Sequence, residues 1–149
     1  MVEKILVAID GSEQAWRAQD LASDIAKLYG AELTILHVVP YEPLPEGLRE
    51  YARIEGIPMG EENARYHYSR TLGDKLTDEA KKRARKKGLV RVSCQVAEGN
   101  PAQKILSAAA DVDMIFLGSR GLSDAKGLLM GSVSHKVANL ATRTCVTVK

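Results

Sequence analysis

Two stretches of the chain combine residue types and spacings suited to holding an anion. The first is Gly118-Ser119-Arg120-Gly121, followed after nine residues by Gly131-Ser132. Gly118 closes an apolar run, so the backbone there can turn and approach a ligand with no Cβ in the way, and Gly121 repeats that freedom three residues on. Gly131-Ser132 opens a helical segment, where the first amides lack intrahelical acceptors and the dipole favours negative charge. The spacing thus offers two glycine-lined backbone walls around one phosphate group. Arg120 would add a positive charge or lie on the surface. The second stretch is Asp10-Gly11-Ser12, which breaks the first apolar run and sets a capping serine before a helix. Neither G-x-x-x-x-G-K-[ST] nor G-x-G-x-x-G occurs, so the two commonest phosphate fingerprints are absent. Taken alone, glycines near a strand end also serve ordinary turns.

The elements that must position these residues alternate along the chain. Lys4–Ile9 is a near-continuous apolar run, as in a strand buried on both faces. Glu13–Tyr29 reads as a helix carrying Trp16, Leu21, Ile25 and Leu28, stopped by Gly30. Leu33–Val39 is a second strand, ended by Pro40. Residues 40–60 hold four of the five prolines and read as a surface excursion with a short helical piece at Leu48–Ile54. Glu61–Lys87 is a long polar helix, disturbed at Gly73 and ending at Gly88. Its basic run Lys81–Lys87 is read as a solvated face, with Asp78 and Glu79 pairing to Lys82 and Arg83 four residues on. A third strand is expected at Leu89–Val96, then a helix Ala102–Ala110 opened by Asn100-Pro101. Asp113–Leu117, Ser132–Ala141 and Cys145–Val148 complete a strand, helix and strand. This order predicts an α/β fold, one open five-stranded parallel sheet with helices on both faces, and one domain over residues 1–149. In such a sheet the ligand crevice lies beyond the carboxyl ends of the strands, where Asp10, Val38 and Gly118 fall.

Composition narrows the function further. Of 149 residues, Lys plus Arg number 21 and Asp plus Glu 19, a net charge of +2 that gives no general attraction for nucleic acid or anionic membrane. Aromatics make up 5%, with one Trp and one Phe, too few for a base-stacking platform. No apolar stretch is long enough to span a bilayer, and cytoplasmic residence is the expectation. Cys94 and Cys145 are isolated, so buried strand thiols are expected in place of a metal or redox motif. His37, inside an apolar strand, reads as a packed core histidine, whereas His67 and His135 fall on helix surfaces. Asp10 is the one candidate base, but nothing in the sequence positions a water or leaving group beside it.

The chain resembles the universal stress protein family over essentially its full length. The resemblance rests on Ile5-Leu6-Val7-Ala8-Ile9-Asp10-Gly11-Ser12, on Leu36-His37-Val38-Val39, and on Gly118-x2-Gly121-x9-Gly131-Ser132. The last matches the signature of the family's ATP-binding branch. It implies ATP, or ADP or AMP, as ligand with Mg or Mn, and a homodimer paired through the C-terminal strand. Asp10 and Val38 then fall at the ribose and adenine positions, with Ala8 and Leu117 beside the base. Gly118, Arg120, Gly121, Gly131, Ser132 and Val133 form the phosphate and ribose wall. Asp10 would touch a metal only through the nucleotide. The implied function is a nucleotide-dependent regulatory or stress-response module and not an enzyme. The alternatives are slow ATP hydrolysis on the same fold or a nucleotide-free, chaperone-like dimer. Where the family commonly ends on Pro-Val-Leu-Val-Val, this chain has Thr144-Cys145-Val146-Thr147-Val148.

Overall fold

The computed structural model describes residues 1–39, 46–57, 61–122, 124, 127 and 129–149, with the backbone alone at 48, 61–66 and 68–70. Much of the proposed 40–60 excursion therefore lies outside the described residues. Five parallel strands, β1 (Lys4–Ile9), β2 (Glu32–Val39), β3 (Val92–Glu98), β4 (Met114–Gly118) and β5 (Thr144–Val148), form one sheet in the order β3-β2-β1-β4-β5. The fold is the predicted one. β1 is central, which is why Ile5, Leu6 and Val7 are fully buried and its sequence does not alternate. α1 (Glu13–Tyr29) and α3 (Glu61–Lys86) cover one face; α4 (Pro101–Ala108) and α5 (Ser132–Leu140) cover the other. The short α2 (Glu46–Ile54) begins two residues before the expected piece.

Several local expectations change on contact with tertiary packing. α1 is anchored as predicted: Ser12 accepts from the Ala15 amide at 3.2 Å, and Gly30 caps the other end. Its core-facing stripe, however, is Ala15, Ala18, Ala22 and Ala26, whereas Leu21 and Leu28 are 40% and 75% exposed. Small residues at three- and four-residue steps bring this helix close to the sheet. A Cβ at Gly118 would stand 2.8 Å from the Ala15 amide nitrogen, so β4 contributes to the same close approach. α3 runs unbroken through Gly73, where a Cβ would collide with the Val96 side chain. That glycine serves packing against β3 and breaks nothing.

β3 starts at Val92, later than expected, because Leu89 is buried and its amide bonds back to the Ala84 carbonyl as part of the helix exit. The basic run is exposed at Lys82, Arg83, Arg85 and Lys86, as a solvated face should be, and it also reaches a neighbouring helix. Arg83 pairs with Asp20, and Lys87 with Asp20 and Asp24, so these cations tie α3 to α1 across the gap between helices. Arg83 also lies over Trp16, 5.5 Å from the ring centre. No helix among the described residues is long and apolar enough to cross a membrane.

Candidate functional site

The strand order reverses at β1: the chain builds β2 and β3 on one side, then returns to lay β4 on the other. The carboxyl ends of β1 and β4 therefore lie where open α/β sheets place their ligand crevice. Gly11, at φ 88, turns the chain out of β1 in a conformation that side-chain-bearing residues rarely adopt, and this leaves Asp10 at the crevice. Oδ1 of Asp10 accepts from the Ser12 amide at 2.9 Å, and Oδ2 accepts from the Leu122 amide at 3.1 Å. One carboxylate thus fixes both the turn after β1 and the loop after β4. Ser12 adds a long contact from its hydroxyl to the Arg120 carbonyl at 3.5 Å.

Ser119 is the clasp of that loop. Its amide donates to the Val148 carbonyl at 2.7 Å, and its own carbonyl accepts from the Gly131 amide and the Ser134 hydroxyl, both at 2.6 Å. These bonds hold the start of α5 beside the end of β4, so the nine-residue spacer closes on a short base. Gly131 is the N-cap and supplies no side-chain bond, and the first amides of α5, at Ser132, Val133 and Ser134, meet no acceptor among the described residues. Unpaired N–H groups at a helix start favour an anion.

The residues expected at the site converge in two groups. Val38 and Leu117 are buried in one apolar cluster, with Ala8 and Val133 packed against it, on the α4 and α5 face. Asp10, Gly121 and Gly131 meet at the loop: a Cβ on Gly121 would lie 2.6 Å from Oδ2 of Asp10, and one on Gly131 would overlap the Asp124 carboxylate. Gly118, Gly121 and Gly131 all have ordinary φ; a Cβ at Gly118 would press on the α1 backbone, whereas at Gly121 and Gly131 it would press on the Asp10 and Asp124 carboxylates. Gly118 answers to α1 packing. Ser132 is exposed at the start of α5, and the Arg120 guanidinium pairs with none of the described residues.

The sequence reading missed Asp124, which accepts from the Gly121 amide. Its signal was an acidic residue inside a spacer otherwise suited to a phosphate. His37 is the core histidine expected, 5% exposed, with Nδ1 donating to the Ile9 carbonyl at 2.8 Å. Burial pushes the Cys94 and Cys145 thiols up, away from reactivity. Among the described residues no group of three or more His, Cys, Asp or Glu could hold a metal ion.

The sequence model of the universal stress protein family matches residues 1–149. The chain belongs to the universal stress protein family. It is 39% identical over 147 residues to universal stress protein YxiE of Bacillus subtilis, covering 95% of each chain. It is 30% identical over 158 residues to universal stress protein MJ0577 of Methanocaldococcus jannaschii, covering all of this chain and 96% of that one. The solved MJ0577 structure superposes with a TM-score of 0.77 at 26% identity, over 100% of this chain and 96% of that one. A universal stress protein crystallised in complex with cAMP superposes with a TM-score of 0.67 at 25% identity, over 99% and 97% of the two chains.

Proposed function

We propose that this universal stress protein binds an adenine nucleotide, ATP or its ADP or AMP forms, at the carboxyl ends of β1 and β4, and acts as a nucleotide-dependent regulatory module. The observation that carries the reading is the meeting of Asp10, the Gly121 backbone and the first amides of α5, which meet no acceptor among the described residues, at the switch point of the sheet. The adenine would lie against Val38, Leu117, Ala8 and Val133, which supply an apolar wall with little polar competition. Ribose hydroxyls would donate to Asp10, whose oxygens each keep a lone pair beside their amide partners. Gly118, Arg120, Gly121, Gly131 and Ser132 would line the phosphates. The cAMP complex of a similar protein supports an adenine nucleotide as the ligand class.

A Mg²⁺ or Mn²⁺ ion would enter on the phosphates, which suit such cations together with water. Both oxygens of Asp10 already accept amide hydrogens, which favours a holding role over that of a general base, and therefore binding over turnover. Occupancy would act by changing the surface around the β4–α5 loop that a partner meets. β5 is an edge strand, and pairing with a second copy would satisfy its free backbone groups. Val146→Pro, which removes one donor there, is expected to shift a homodimer toward monomer in light scattering.

Mass spectrometry of the small molecules released on denaturing the purified protein tests the central reading. Adenine nucleotide near one per chain is expected. A chain that carries none, and takes up none when incubated with ATP and Mg²⁺, contradicts it.

A further inference from the structure

The carboxylate of Asp124 occupies the space between the two glycine walls. Its Oδ2 accepts from the Gly121 amide, while the Asp124 amide donates back to the Gly121 carbonyl at 3.3 Å. A Cβ built on Gly121 would stand 3.5 Å from that oxygen, and one built on Gly131 would overlap it, with Oδ1 only 3.0 Å away. The volume left open by the absent side chain of Gly131, in contact with Gly121, thus holds an anion belonging to the protein itself. Asp10 lies on the other side of the same glycine, with Oδ2 2.6 Å from the Cβ position of Gly121. An incoming phosphate would meet two carboxylates around one amide, and repulsion at such distances is large where water is partly excluded.

We infer that Asp124 is a built-in competitor for the phosphate position, so that the nucleotide binds only when its phosphate displaces the Asp124 carboxylate from the Gly121 amide. This rests on the nucleotide reading given above and adds regulation of that site by the chain's own side chain. A competing state lowers apparent affinity by the fraction of molecules that are free to bind. The penalty falls on ligands with phosphate and spares those without. Asp124 would therefore set the affinity for ATP without touching recognition of the nucleoside. The other role open to an aspartate bonded three residues back is to shape the loop as a turn. The two roles predict opposite effects on ATP.

Calorimetric titration of the full-length protein with ATP and with adenosine, each with and without Mg²⁺, separates them. The proteins compared are wild type, Asp124→Asn, which keeps an acceptor for the turn and loses the charge, and Asp124→Ala. The competitor role predicts that both variants bind ATP more tightly, by about tenfold, with adenosine affinity unchanged. If wild type binds ATP while Asp124→Asn binds it equally or more weakly, with or without Mg²⁺, the competitor role is overturned and the nucleotide site stands. If neither wild type nor variants bind ATP or adenosine, the nucleotide reading itself falls, and this inference with it.

Discussion

The two ends of the β1–β4 pair use the same device for different purposes. At the amino end, Asp113 accepts from the Glu3 and Lys4 amides at 2.7 and 2.9 Å, and these bonds hold its carboxyl below the usual range. At the carboxyl end, Asp10 likewise receives two amides, from Ser12 and Leu122. The surroundings differ. Around Asp113 the ladder continues, with its own amide donating to the Lys4 carbonyl at 2.9 Å and Lys4 paired to Asp111. Around Asp10 the backbone diverges into a loop with glycines, a second carboxylate and helix amides that meet no acceptor among the described residues. A carboxylate clasping two amides is therefore structural where the ladder continues, and under the proposed function it is part of a site where strand order reverses and the backbone opens.

That contrast can be broken from either side. The largest effect is expected of Gly121→Val, whose added carbons would run into the Asp10 carboxylate at the loop. ATP binding should become undetectable with a fluorescent analogue while circular dichroism shows a folded protein, because the clash falls outside both core clusters. Ser132→Ala should act in the same direction but less. It removes one exposed hydroxyl and leaves the helix amides, a loss of about 10- to 100-fold if that hydroxyl bonds a charged phosphate. Asp113→Ala, at the opposite end, should leave ATP affinity unchanged and lower the melting temperature.

The pH dependence of this last effect follows from the sign of the shift. A carboxyl held low in the folded state adds stability above its unfolded value of about 3.9. That contribution disappears as the pH falls through the lower folded value. The gap in melting temperature between wild type and Asp113→Ala should therefore be full at neutral pH and close in acid. A gap that persists in strong acid would assign the loss to something other than these bonds.

What could be read in the sequence follows from where the information is local. β1, β4 and the caps at Ser12 and Asn100 depend on apolar runs and on side chains that bond within three residues, and they appear where expected. The alanine stripe that α1 turns to the core was not read from the sequence, because the close approach of β4 at Gly118 that selects small residues is not local. Gly73 was read as a disturbance of the long helix for a similar reason: its purpose is set by Val96, distant in sequence. Asp10 and Gly121 were singled out by their spacing around the ends of the first and fourth strands, and the folded chain brings them together. Asp124 was not, because its meaning depends on the space between Gly121 and Gly131, which only the folded loop defines.

The comparison of the two ends can be read in a single experiment, titration of ¹⁵N-labelled protein with ATP and Mg²⁺ followed by amide resonances. The predicted result is large shifts at Gly121, Leu122 and the Ser132–Ser134 amides, with Glu3, Lys4 and Asp113 unmoved. Shifts concentrated at the Asp113 end, or none anywhere at saturating ATP, would contradict the placement of the nucleotide at the carboxyl ends of β1 and β4.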